Sequence, residues 1–167
     1  MEPVGPLRER QEHSMRGFLL GVVAVLTIVP IVVGIWLGLM SVTTERQVQN
    51  LKAPFPVNED TLLEGMRLYV GNCSLCHGLA DGQPSPMAQG FYSKAPQVAA
   101  DEMEQYPEGM LYWWAEHGIR FSPMPAFQNT IPSQVVWKTV MFIKSVHHLP
   151  PAVDAAWKAI PRSVVTW

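Results

Sequence analysis

The chain has 167 residues, a formal net charge of −2, and 48% hydrophobic against 16% charged residues. That length leaves room for one small domain beside any membrane segment, and two cysteines are too few for a disulfide-stapled scaffold. Between residues 58 and 150 the bases Arg67, Lys94, Arg120, Lys138 and Lys144 face Glu59, Asp60, Glu64, Asp81, Asp101, Glu102, Glu104, Glu108 and Glu116. A mildly acidic domain of this kind argues against a nucleic-acid partner.

Residues 1–16 are polar and carry Arg8, Arg10 and Arg16. An apolar run follows over residues 17–40, and at 1.5 Å per residue its roughly 24 residues span about 36 Å, enough for a bilayer core. It reads as a transmembrane helix in preference to a cleaved secretory signal, whose apolar region is shorter and is followed by a small-residue site missing here. Three arginines before the run, against Arg46 and Lys52 after it, put the N-terminus in the cytoplasm. The rest of the chain then faces the other side of an inner membrane. Gly34 and Gly38 form a G-x-x-x-G pair suited either to close approach of another transmembrane helix or to a solitary anchor. Pro30 is a candidate kink.

Residues 41–57 read as an extramembrane tether, stiffened by Pro54 and Pro56. Asn58 is a candidate N-cap, with Glu59 and Asp60 suited to the positive end of a helix. Leu62, Leu63, Met66, Tyr69 and Val70 recur at helical spacing, and Gly65 lies on nearly the same face as Tyr69. This first helix runs directly into Cys73-Ser74-Leu75-Cys76-His77.

That stretch is C-x-x-C-H, the spacing at which two thioether bonds and one axial imidazole hold a c-type haem. Both cysteines of the chain are used, so one covalent haem c is expected. A zinc site needs about four ligands, and no second cysteine pair or spaced histidine pair completes them. A redox dithiol belongs beside a βαβ pattern, which is missing. His77 is the expected proximal ligand, its second ring nitrogen donating to a backbone carbonyl. The macrocycle also supplies apolar core that so small a domain otherwise lacks.

Glycines and prolines punctuate residues 78–100 as a loop. Pro107 and Gly118 bracket a second helix over residues 108–117, whose Tyr112, Trp113 and Trp114 are expected to pack the core and the haem. Met124, between Pro123 and Pro125, sits in a stiff loop that presents a thioether with little ordering entropy lost, and is the expected distal ligand. Met87 and His117 are the rivals; Met66, Met110 and Met141 suit core filling. Arg120 is placed either near a haem propionate or on the ordinary surface. Ser133 is expected to cap a last helix reaching about His148, with Val136, Trp137, Val140, Ile143 and Val146 on its apolar stripe and His147 and His148 in its final turn. Residues 151–167 are a tail laid over the domain or over a partner.

Residues 58–150 resemble a class I cytochrome c. The resemblance rests on Gly65 and Tyr69 in the first helix, the C-x-x-C-H, the Met124-Pro125 loop, and Trp137 with Phe142 in the last helix. It implies a mainly α fold, a small cytochrome c-like haem domain of short helices and loops whose first and last helices cross at the glycine and the aromatics, preceded here by one transmembrane helix. It also implies a proline whose carbonyl accepts from the proximal imidazole: Pro96 by its Ala-Pro-Gln context, with Pro84 and Pro86 nearer in sequence. Haem of this type is generally attached outside the cytoplasm, which agrees with a periplasmic domain.

The expected set for the cofactor is therefore Cys73, Cys76, His77, Met124, Pro96, Arg120 and Trp113, with His77 and Met124 on the iron. His/Met ligation closes the coordination sphere and suits one-electron transfer rather than catalysis. The expected role is a membrane-anchored electron carrier or complex subunit, passing electrons from a respiratory or photosynthetic donor to an acceptor such as a terminal oxidase. The alternatives are a haem sensor or peroxidase in which Met124 dissociates, and a structural haem subunit.

Overall fold

In the computed structural model of the chain, residues 6–100 and 102–166 are described. Residues 1–5, at the start of the polar N-terminal segment, Asp101 and the terminal Trp167 of the tail lie outside them. The described residues are helical with no strand, and the chain divides into two units, residues 1–45 and 46–167.

The first unit is the greater part of helix α1 (Pro6–Gln49). Its stretch Met15–Leu39 is long and apolar enough to cross a membrane, and none of it is buried within the protein. Pro30 lies inside the helix, which is assigned continuously through it. Nearby Thr27 returns its hydroxyl to the Val23 and Ala24 carbonyls, a local bond that hides a polar group in an apolar helix.

The second unit is a bundle of short helices: α2 (Glu59–Asn72), α3 (Ser74–His77), α4 (Pro86–Gln89), α5 (Glu102–Gln105), α6 (Glu108–His117), α7 (Ser133–Ser145) and α8 (Pro151–Lys158), closed by a 3-10 turn at Arg162–Val165. Residues 41–49, expected in the tether, are instead the last turns of α1. Val48 is buried, and the Ala53 amide donates to Glu108 Oε1 at 3.1 Å. A Cβ at Gly109 would lie 1.9 Å from the Val48 carbonyl oxygen, so only glycine admits this segment against α6.

Asn58 caps α2 as the sequence predicts, its Oδ1 accepting from the Thr61 amide at 2.9 Å. The apolar face of α2 buries Leu62, Met66 and Tyr69 against Val136, Val140 and Phe142 of α7. Gly65 is the crossing point: a Cβ there would stand 2.1 Å from the Lys138 carbonyl oxygen. Tyr112 of α6 stacks on Trp137 of α7 with centroids 4.1 Å apart.

Two further features, both at the ends of α7, differ from expectation. Ser133 makes no capping bond; its hydroxyl donates to Glu116 Oε1 at 2.5 Å, and Pro132 takes the cap position. Helix α7 stops at Ser145, so His147 and His148 follow it rather than occupy its last turn. His148 is exposed, 3.9 Å from Glu104.

The segment after α7 covers the domain itself. Trp157 of α8 is buried, edge-on to Tyr69 at 5.6 Å and to Phe142 at 5.1 Å, and Val153 and Val165 are fully buried beside this trio.

Candidate haem-binding site

Helix α2 delivers the motif almost without a break. The Cys73 amide donates to the Tyr69 carbonyl, and α3 begins at the next residue, with the His77 amide donating to the Cys73 carbonyl at 2.9 Å. Ser74, the first of the two residues between the cysteines, is buried and sends its hydroxyl back to the Val70 carbonyl at 2.7 Å. The turn that spaces the cysteines is thereby pinned to the helix before it. Both thiols are free.

His77 is held from one side by residues 95–98. Its Nδ1 donates to the Pro96 carbonyl at 2.8 Å, which fixes the tautomer and leaves Nε2 as the nitrogen able to ligate. Of the three prolines considered from sequence, Pro96 makes this bond, while the Pro84 carbonyl accepts from Arg162. The Val98 amide donates to the His77 carbonyl at 2.8 Å. Gln97 completes the grip, its Nε2 donating to Ala95 at 2.9 Å and to Cys76 at 3.4 Å. Gly78 follows with φ +73°, and a Cβ there would meet Gln97 Oε1 at 2.2 Å. On the opposite flank the buried Tyr69 hydroxyl donates to the Gly78 carbonyl at 2.9 Å.

The electrostatics keep the two thiols and the imidazole uncharged. Burial, reinforced by Cys76, pushes the Cys73 thiol up to about 12, and burial raises Cys76 as well. Burial lowers the pKa of His77 against the opposing pull of its bond to Pro96, so the imidazole stays neutral, the form that binds a metal. Among the described residues no three His, Cys, Asp or Glu side chains gather as they would around a bare metal ion. Two uncharged thiols one helical turn apart, next to an oriented neutral imidazole, fit a covalently held porphyrin iron.

Met124, Arg120 and Trp113 belong to a second group, on α6 and the loop after it. Gly118 ends α6 at φ +73°, where a Cβ would stand 2.9 Å from the Met124 carbonyl oxygen. That carbonyl accepts from the Ile119 amide at 3.3 Å, and the Met124 amide donates to Ser122 Oγ at 3.2 Å. The backbone of Met124 is thus fixed on both sides and its side chain is half-buried. Of its rivals, Met87 is exposed on α4, and His117 is stacked on Trp113 with centroids 3.6 Å apart, its Nδ1 bonded to the Trp113 carbonyl. Arg120 is exposed.

Residues 60–143 match the family model described as cytochrome c oxidase, cbb3-type, subunit III. The chain belongs to this family of class I c-type cytochromes. No curated protein matches the chain. The matched stretch of the cytochrome runs from the first turn of α2 into α7, taking in both residue groups of the candidate site. It stops short of α8 and the 3-10 turn.

Three residues of the proximal grip escape a reading of the cytochrome's sequence. Tyr69 is visible there as an apolar helix position, and nothing announces its hydroxyl bond to Gly78. Gln97 draws notice only as the neighbour of Pro96. Ser85, fully buried, caps α4 by accepting from the Ala88 amide at 3.0 Å and donates to the Leu75 carbonyl inside the motif; a serine before a proline can signal the cap, but nothing local announces the bond to Leu75.

Proposed function

We propose that the cytochrome is a one-electron carrier with a single haem c bound through Cys73 and Cys76, ligated by His77 and Met124, and anchored in the inner membrane by Met15–Leu39 with its haem domain in the periplasm. The observation that carries this reading is the His77–Pro96 hydrogen bond beside two free thiols. When bound, haem supplies an iron centre that exchanges one electron between two stable oxidation states. The residues do the remaining work. Pro96 holds the imidazole in one orientation, so its orientation need not be re-established with each electron. The loop over residues 118–125 offers the Met124 sulfur on a backbone already fixed by Ser122, Ile119 and Gly118. With two protein ligands the cytochrome keeps no open position for substrate, so it acts as an electron-transfer protein and not by itself as an enzyme. Pro96, Arg120 and Trp113 complete the environment.

The family description supports a place as a subunit beside a terminal oxidase in a respiratory chain. The partners are then a donor protein, an acceptor, and neighbouring transmembrane helices.

The visible spectrum of the holoprotein tests the ligation. The expected oxidised form is low-spin with a sulfur-to-iron charge-transfer band, and the reduced form is unaffected by carbon monoxide. Met124→Ala should remove that band and lower the reduction potential. An unchanged potential would end the assignment of Met124, and ready carbon monoxide binding by the unaltered protein would favour a sensor.

A further inference from the structure

The C-terminal segment, which lies beyond the family match, reaches the haem-attachment turn on two sides. On one side Trp157 packs edge-on against Tyr69, and the Tyr69 hydroxyl donates to the Gly78 carbonyl at 2.9 Å. On the other side Arg162 spreads its guanidinium over the loop that follows the motif. One nitrogen contacts Asp81 Oδ2 at 2.5 Å and the Gln83 carbonyl at 3.3 Å, and the other donates to the Pro84 carbonyl at 2.8 Å. Asp81 accepts from the Gln83 amide through its other oxygen, closing the loop on itself. The next residue is Ser85, whose hydroxyl donates to the Leu75 carbonyl between the two cysteines.

We infer that residues 151–166 form a clasp on the haem-attachment turn and that Arg162 is its positioning residue, acting on His77 through residues 81–85. The inference rests on the proposed electron-transfer reading for its meaning. Three features support a positioning role over simple charge pairing. The Arg162 and Asp81 side chains are 37% and 41% exposed, and ion pairs so exposed contribute little on their own. The planar fork reaches three acceptors at once, which an ammonium cannot reproduce. Val165, at 1% exposed, and Trp157, at 3%, anchor the chain on either side of Arg162, so the guanidinium is delivered by a buried scaffold. Loosening this clasp frees Leu75 and the turn that carries His77, and with them the His77 bond to Pro96. A less strongly hydrogen-bonded imidazole is a poorer donor, which favours the reduced state and raises the potential.

The test uses the full-length holoprotein in detergent, with Arg162→Lys as the principal variant because it keeps the charge and loses the fork. Amide hydrogen exchange at Gly78, Ala88 and Val98 should accelerate about tenfold while amides in the middle of α7 stay unchanged, and the reduction potential should rise. Arg162→Met should do the same, although loss of a cation alone would lower the potential. Arg67→Lys, which makes the same charge-preserving change at an exposed position of α2 outside the clasp, should change neither readout. The inference is overturned if exchange is unaltered in Arg162→Lys, if α7 accelerates equally, or if Arg162→Met lowers the potential while Arg162→Lys leaves it alone. Should Arg162→Met fail to mature, Asp81→Asn gives the same exchange readout with the guanidinium in place. Absence of covalent haem from the unaltered protein would instead strike the electron-transfer reading, because the exchange pattern can be read without it.

Discussion

Gly65 meets Lys138 backbone to backbone: the position a Cβ would occupy lies 2.1 Å from the Lys138 carbonyl oxygen and 3.1 Å from the Phe142 Cβ. A carbonyl in the middle of α7 cannot swing aside without breaking that helix. Gly65→Ala should therefore destabilise the domain by roughly 1–3 kcal/mol, even though alanine is the better helix former. The urea midpoint should fall with the slope of the transition unchanged. A midpoint at or above that of the unaltered protein would show that the two helices can slide apart at no cost.

Removing the Tyr69 hydroxyl tests the flank of the motif that faces α8. Tyr69→Phe keeps the ring against Phe142 and Trp157 and leaves the Gly78 carbonyl without its donor. The expected loss is roughly 1–3 kcal/mol, measured by thermal unfolding of the holoprotein.

Trp157→Ala should cost more, roughly 3–5 kcal/mol, because it opens a cavity beside two buried rings. Denaturant unfolding measures it. A loss below about 1 kcal/mol would mean that the surrounding side chains close the gap.

The two thiols should differ in reactivity before haem attachment. With a pKa of about 12, Cys73 is ionised to only about one part in 10,000 at pH 8. Mass spectrometry after a short alkylation of the haem-free chain should find Cys76 modified first. Modification of Cys73 ahead of Cys76 would contradict the order.

Neutral His77 sets a pH dependence in the same haem-free chain. Its folded pKa lies below the ordinary value of 6.5, chiefly through burial. The folded state therefore binds fewer protons than the unfolded state. The resulting stability is present above about pH 6.5 and is lost as the pH falls through the lowered value. The stability difference between the unaltered chain and His77→Asn should shrink from pH 7.5 toward pH 5. A difference independent of pH over that range would show that His77 is not held neutral.

Much of the site was legible because its chemistry is written in short spacings. Cys73, Cys76 and His77 announce a haem by their intervals, Asn58 announces a helix start, and Pro107 with Gly118 brackets α6 to the residue. What escaped was long-range or bivalent. Ser133 stands where a cap is expected, yet Glu116 of α6 offers a charged acceptor and takes the hydroxyl. Residues 41–49 are polar enough to suggest a linker, but α1 continues through them to Gln49, and the buried Val48 brings its carbonyl against Gly109. Arg162 contacts residues 78 to 81 positions away, a separation at which no local pattern survives. The aromatics divided similarly: Trp137 was placed in the core and lies there, whereas Trp157 sat in a stretch that could have covered a partner as well as the domain itself.

The crossing at Gly65 also bears on how the domain can change over time. Glu64 and Lys138 are 74 positions apart in sequence, so bringing α2 and α7 together costs about 4 kcal/mol of chain entropy, a price that grows only with the logarithm of the loop length. Doubling the intervening chain would add only about 0.6 kcal/mol. Largely exposed stretches such as residues 89–94 can therefore accept insertions cheaply, while a single methyl group at Gly65 costs more than such a doubling. Length between the two helices is free to drift, and their point of contact is not.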